Sequence, residues 1–312
     1  MSAALGVFCV AAVAVVAFGV SSLLGVGLPL WDRLATRLQP RQRVALWSAF
    51  MWAPATLGVA AVLASLGVGF DHCLTHDPHH PHLCPTHASA APGLVLLGMA
   101  AFIALRLAIA AAGIIAATAQ SHRAAAALMA ASEVRGGVHV FASAEPVAFV
   151  VGLFRPRVFV SQRLFDLGHD LAEPVVAHEE AHAAHGDVLQ RAMARLAGFA
   201  HWPRVASSLQ RRLVVAQEVA ADAHAARVVG DPLRVAEALL RLTRLAPSPR
   251  VVGMSFTDGD VAARVRALVA AQPGARAPRR LVAASISASV VALLCGGHHV
   301  HHALETLLGA LN

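Results

Sequence analysis

One run in the chain has residue types and spacing that could make a reaction centre: His178-Glu179-Glu180-Ala181-His182. It lies within apolar and small residues that run at helical spacing from Leu171 to Ala200, with Pro174 suited to a first turn, so the spacing predicts a helix. Residues four apart share one helical face, so both imidazoles can meet a single zinc ion. Glu179, about 100° around the helix, can address a water on that ion. Zinc acidifies such a water and polarises a scissile carbonyl, and a carboxylate then accepts and relays the proton. Five residues are a weak signal in a chain with 18 His. The competing reading is an exposed amphipathic helix with adventitious histidines.

A catalytic zinc normally has three protein ligands and keeps one position open. Glu218-Val219-Ala220-Ala221-Asp222 places two carboxylates four apart on a second expected helix, Ser207–Val229, which ends at Gly230-Asp231-Pro232. The surrounding face is small and apolar (Val214, Val215, Ala221, Ala225), where a carboxylate pair is costly unless a metal or a partner satisfies it. Glu218 as third ligand and Asp222 as acceptor for a ligand imidazole would satisfy the pair. His185 competes for the third position, since it shares a face with His178 and His182. A single helix cannot easily wrap three ligands tetrahedrally around one ion, which favours Glu218.

The elements that must position these residues lie within 120–280. An Ala-rich helix is expected over Gln120–Val134, broken by Gly136-Gly137. Strands follow at Val138–Ala142, Val147–Val151 and Arg157–Ser161, forming a small antiparallel sheet with a turn at Gly152–Pro156. Beyond the two long helices, Trp202-Pro203 marks the break between them, and shorter helices are expected at Leu233–Leu245 and Val261–Ala271.

The rest of the chain is unlike a soluble enzyme. It is 57% hydrophobic and only 14% charged, against about 25% charged in soluble domains. All 25 basic residues are Arg, and Tyr is absent, so neither Lys nor Tyr chemistry is open to it. Leu5–Leu30, Val44–Phe70 and Leu281–Gly297 carry no charge, and Gly93–Ala119 carries only Arg106. A spanning helix needs roughly 20 apolar residues, which gives transmembrane helices at about 5–30, 44–70 and 93–119 and a fourth from 281. Arg106 should face other helices or the domain, either coupling the outward loop to the protease or acting as a snorkelling or backbone-capping residue. Trp31–Arg43 holds four Arg against Asp32, whereas 71–92 holds two Asp and no Arg. By the positive-inside rule both termini face outward and 120–280 is cytoplasmic, in a bacterial-type inner membrane. The +7 net charge thus records topology, and no direct nucleic-acid binding is expected.

Three ordered motifs carry a family resemblance: Pro-Val-Ala-Phe-Val-Val-Gly-Leu-Phe-Arg-Pro-Arg-Val-Phe-Val-Ser (146–161), Val-Ala-His-Glu-Glu-Ala-His-Ala-Ala-His-Gly-Asp (176–187) and Gln-Glu-Val-Ala-Ala-Asp-Ala (217–223). Over roughly 90–245 the chain resembles the BlaR/MecR class of integral-membrane zinc metallopeptidases, which are antirepressor-like and distantly similar to the Ste24/HtpX proteases. The resemblance implies a gluzincin fold, one catalytic zinc on His178, His182 and Glu218, and Glu179 as base. It further implies a cytoplasmic site, a role for Asp187 in orienting that site or capping a neighbouring group, against the competing reading of a plain surface salt bridge, and an edge strand, Ala148, Phe149, Val150 and Val151, that pairs with extended substrate. The substrate implied is a cytoplasmic or membrane-proximal protein such as a BlaI-like repressor, cleaved in signal transduction. With 15 residues after the last span, the penicillin-binding sensor of that class is not expected. In the absence of Tyr, His201 is the candidate to stabilise an oxyanion; the competing reading makes it an interfacial or capping residue.

The expected architecture is thus a mostly α membrane protein. Residues 1–119 hold three transmembrane helices, 120–280 form a cytoplasmic α+β gluzincin-like metalloprotease domain, and 281–312 hold a fourth transmembrane helix and a short His-containing outward tail. The outward loop 71–92 packs His72, Cys73, His76, His79, His80, His82, Cys84 and His87 together. Such density suits a second transition-metal site, or else a Cys73–Cys84 disulfide with solvated His around it. The alternative function is therefore a membrane metal sensor or transporter without proteolysis. Transporters place ligands near the midplane, and these spans contain no His, Asp or Glu, which counts against transport.

Overall fold

The computed structural model describes residues 3–72, 92–245, 258–270 and 297–311. Three long helices come first: α1 (Ala3–Ala35), α2 (Pro40–His72) and α3 (Leu94–Ala130). Ala3–Ala35, Pro40–Leu66 and Leu94–Ala130 are long and apolar enough to cross a membrane. α1 and α2 are joined by a tight turn in which Arg43 donates to the carbonyls of Leu38 and Thr36, both at 3.0 Å. The fourth apolar stretch lies, apart from Gly297, outside the described residues.

The sheet corrects the sequence expectation. Its four strands, β1 (Ser132–Arg135), β2 (Val138–Phe141), β3 (Ala148–Val151) and β4 (Arg157–Ser161), stand in the order β1-β2-β4-β3. β2 and β4 run parallel while the other two pairs are antiparallel, so the sheet is mixed. Burial explains the order. Val158, Phe159, Val160 and Ser161 of β4 are all buried, as a central strand requires, whereas every residue of β3 is half-buried. The β3–β4 hairpin therefore inserts β4 beside β2, and β3 is left at the edge. The helix expected over Gln120–Val134 is instead the end of α3, and its last residues enter β1. Gly136 and Gly137, at φ 58° and 90°, are the two-residue turn between β1 and β2, not a helix break.

After the short α4 (Gln162–Asp166), α5 (His169–His185) lies across the sheet, where Val175 and Val176 pack with Ala148 and Val150 of β3. The single helix expected over Leu171–Ala200 is two. Gly186 takes the left-handed conformation at φ 64°, ends α5, and starts α6 (Asp187–Ala197). A 3-10 turn, Gly198–Ala200, leads to α7 (Pro203–Val229), with Pro203 in its first turn and Gly230, at φ 79°, closing it. α8 (Pro232–Leu245), α9 (Asp258–Val269) and α10 (Gly297–Leu311) complete the described elements. α10 is a packed helix rather than a free tail: Leu304 and Leu308 are buried with Phe8, Ala11, Ala61 and Leu96 of the three long helices.

The turn between α6 and α7 is lodged among the long helices, with Ala200 buried against Ala17 and Ala55. Small residues allow this close approach, but the turn's backbone must still find partners where water is scarce. Arg106, about a third of the way along α3, donates to the carbonyls of Gly198 (2.8 Å) and Phe199 (3.0 Å). Trp202 donates its backbone N–H to Ser21 and its indole N–H to Ser22. Of the two roles expected for Arg106, the geometry matches the backbone cap. Replacing it by Leu leaves two carbonyls orphaned and should destabilise the protein by about 2–4 kcal/mol. Thermal unfolding in detergent would show this as a lowered Tm, partly restored in Arg106→Lys; an unchanged Tm would mean the carbonyls find other donors.

Candidate active site

α5 and α7 meet along alanines. Ala177, Ala181, Ala221 and Ala225 are all buried, so two backbones approach closely enough for short side chains to converge. His178 and His182, one turn apart on α5, point their Nε2 atoms at each other at 3.1 Å. Glu218 of α7 places Oε2 3.4 Å from the His178 ring and Oε1 3.5 Å from that of His182. One ligand atom from each of these three residues lies within 4.8 Å of the other two, and all three residues are buried.

The far side of each ring explains why the near sides can crowd. Nδ1 of His178 is 2.9 Å from Asp222 Oδ1, and Nδ1 of His182 is 2.7 Å from Asp187 Oδ2. An ionised carboxylate only accepts, so each Nδ1 donates and each neutral ring keeps its lone pair at Nε2. Two such lone pairs cannot face each other at 3.1 Å without a proton or a metal ion between them. Zinc–nitrogen bonds of roughly 2.0–2.1 Å in tetrahedral geometry put two nitrogens about 3.3 Å apart, close to the separation here. Glu218 Oε2 is also buried and makes no hydrogen bond, with only the ion-pair contact of Arg264 Nη1 at 3.3 Å besides the His178 ring. The residues present fit a zinc ion.

Electrostatics follows the same contacts. Burial disfavours a charged His178, yet Asp222 and Glu218 outweigh it and push the imidazole up to about 9. His182 is also raised: burial works against this, and the Asp187 and Glu218 contacts prevail. Glu218 is held well below the usual carboxylate range; burial opposes this and is overcome by the two histidines and Arg264. Glu179 is 5% exposed, and burial pushes its carboxyl upward against the pull of both imidazoles.

Three arginines that residue type did not single out complete the network. Arg264 of α9 grips both oxygens of Asp222 at 2.7 Å. Arg191 of α6 donates to Glu218 Oε1 at 2.8 Å and to Gln217 Oε1 at 2.7 Å. Arg41 of α2 reaches Asp187 Oδ1 at 3.1 Å. Nothing local distinguishes them among 25 arginines; the only sequence signal is the buried acid pair of α7, which demands cations without saying which.

Other sequence candidates lie elsewhere. His185 is exposed and bonds the Ala181 carbonyl of its own helix, so it does not compete for the cluster. His201 is buried beside the long helices, with Nε2 on the Met51 carbonyl (3.1 Å) and Nδ1 on Ser21 (3.2 Å). Both nitrogens are committed there, so it cannot serve as the oxyanion group; of its two readings, the geometry is that of an interfacial cap. Ala148, Phe149, Val150 and Val151 form β3, which pairs only with β4 among the described strands. Cys73, His76, His79, His80, His82, Cys84 and His87 lie outside the described residues, as does the side chain of His72. α10 brings His301 between Ser65 (2.8 Å) and Glu305 (3.1 Å) against α2, so ionisable groups do pack on the long helices there, although that ring has both nitrogens engaged.

Residues 115–211 match the family model for Peptidase family M48. The matched part runs from the end of α3 through the sheet, α5 and α6 into α7; it includes His178, Glu179, His182 and Asp187 and stops before Glu218. It supports a metallopeptidase, a class that hydrolyses peptide bonds. No curated protein and no solved structure matches the chain.

The His178 shift fixes the pH behaviour of the site. A raised folded-state value stabilises the metal-free protein below the unfolded imidazole value, roughly 6.5, and that contribution disappears as pH rises through about 9. The metal-free Tm should therefore fall across this window. Metal needs the same lone pair, so zinc affinity, read by chelator competition, should strengthen about tenfold per pH unit over it. Glu218→Gln should weaken that affinity by more than about 100-fold; an affinity independent of pH and of residue 218 would place the metal elsewhere.

Proposed function

We propose that the chain is an integral-membrane zinc endopeptidase with a cytoplasmic site, acting as a signalling protease on a cytoplasmic or membrane-proximal protein such as a BlaI-like repressor. The observation that carries the reading is the pair of carboxylate-tethered imidazoles sharing Glu218, with Glu179 next to His178 on the same helix. The M48 match over α5 and the three membrane-scale helices support it. The cytoplasmic placement rests on Arg33, Arg37, Arg41 and Arg43 around the α1–α2 turn, at the end where α6 and α7 pack. Signalling and the repressor rest on the resemblance to the BlaR/MecR class.

When bound, zinc would acidify a water and polarise the scissile carbonyl. His178, His182 and Glu218 would hold it, and Asp222 and Asp187 keep both rings in the tautomer that offers Nε2. Glu179 takes the proton from the attacking water at its carboxylate and delivers it to the leaving amine. Its upward shift in a buried setting favours holding that proton between the two steps. The edge strand β3, packed on the same helix as the two imidazoles, offers backbone pairing to an extended peptide. Arg264 keeps Asp222 ionised and in place.

Glu179→Gln separates binding from chemistry. The variant should hold zinc within about threefold of wild type and lose at least about a thousandfold in turnover, counted as new protein N-termini generated by the purified chain on an unfolded protein. Undiminished turnover would refute the assignment. Comparing N-termini in cells carrying wild type or Glu179→Gln would then identify the natural substrate.

A further inference from the structure

The two imidazoles are braced from different parts of the chain. Behind His178, Asp222 is gripped by Arg264 of α9. Behind His182, Asp187 divides its two oxygens: Oδ2 accepts from the ring at 2.7 Å, and Oδ1 accepts from Arg41 at 3.1 Å. Arg41 is the second residue of α2, one of the membrane-scale helices, 146 residues away in sequence. We propose that Arg41 is a positioning residue for the metal site, fixing the ring of His182 through Asp187 and making the α1–α2 turn a structural part of the metal centre. This rests on the metallopeptidase reading above and adds a route by which the membrane helices bear on the site.

Three observations distinguish this pair from a surface ion pair, which would contribute little. Asp187 is 1% exposed, so water cannot replace a lost arginine contact. The carboxylate opens α6 in its first turn, where the helix dipole favours it, so it cannot swing away without losing that position too. Arg41 is itself placed by packing: three and six residues further along α2, Val44 and Trp47 are buried in one core with Ala194 and Ala197 of α6. The neighbouring arginines have other fates. Arg43 closes the α1–α2 turn on the carbonyls of Leu38 and Thr36, while Arg33 and Arg37 are exposed. Of four arginines that a topology rule counts alike, one is directed at the carboxylate behind His182.

The test is a double-mutant cycle on the full chain in detergent or nanodiscs, reading zinc affinity by chelator competition and the visible spectrum of the cobalt-loaded protein. Asp187→Asn should weaken zinc about 10- to 100-fold, as loss of a ligand's hydrogen-bond partner does. Arg41→Ala should weaken it about 5- to 20-fold, shift the cobalt spectrum, and add nothing in the Asp187→Asn background, because it acts only through that carboxylate. Arg37→Ala should bind as wild type. Wild-type affinity and spectrum in Arg41→Ala, or losses that multiply in the double variant, would overturn the proposal. Should Arg41→Ala not fold, Arg41→Met, which keeps the packing stem and removes the cation, decides instead: a weaker affinity with a shifted spectrum supports the role, and wild-type affinity and spectrum overturn it. A wild-type chain that binds neither zinc nor cobalt removes the metallopeptidase reading itself, whereas binding with an additive cycle removes only the role of Arg41.

Discussion

The structure turns on a repulsion. Two neutral imidazoles, each with its proton drawn to a carboxylate behind it, face each other with lone pairs at 3.1 Å in a buried place. That arrangement is tolerable only with a proton or a metal ion between the rings, and a third anion, Glu218, makes the metal the better occupant. The surrounding arrangement answers the demands this centre creates. Glu218, Asp187 and Asp222 are 6%, 1% and 2% exposed, and anions so far from water need fixed cations. Arg191, Arg264 and Arg41 supply them from three different helices. The site is therefore a junction at which α2, α5, α6, α7 and α9 are tied by charge as well as by packing.

The second constraint is the joint between the apolar helices and the sheet-bearing part. A polar turn lodged among long apolar helices is stable only if its backbone groups are bonded, and here Arg106, Ser21 and His201 share that task. α7 then runs from this anchored turn to the His178-His182-Glu218 cluster: Glu218 lies 16 residues beyond Trp202, about 24 Å along a continuous helix. Asp32 of α1 bonds Arg212 midway along it at 2.6 and 2.7 Å. The candidate ligand Glu218 thus stands on a rod whose other end is fixed among the membrane-scale helices. The alanine seams between these elements trade side-chain bulk for proximity, which suits a site whose ligands are short.

Much of this was legible in the chain. Apolar runs located the three long helices, four-residue spacing put His178 with His182 and Glu218 with Asp222, and a costly acid pair on an apolar face pointed to a shared cation. Alternation and burial failed at the sheet. Nothing local tells a strand in a hairpin whether it or its partner will sit beside β2, so a small antiparallel sheet is what the pattern predicts where the sheet is mixed. The long helix expected from Leu171 to Ala200 ignored Gly186, because one glycine inside an apolar, helical pattern is weak evidence until its φ is known. His201 has two readings from residue type alone, oxyanion group or interfacial cap, and only its packing among the long helices chooses the cap.

Sequence by itself determined the local geometry: which residues share a helical face, which stretches avoid water, and therefore which chemistry the chain can attempt. Those properties depend on periodicity and transfer free energy, which act over a turn or two of helix. Only the tertiary structure decided which arginine meets which acid, that Asp187 lies behind His182, and that Arg41 at the start of α2 reaches Asp187. Charge pairing has no period in sequence. Arg41 and Asp187 are brought together by the packing of α2 on α6, which no local pattern encodes.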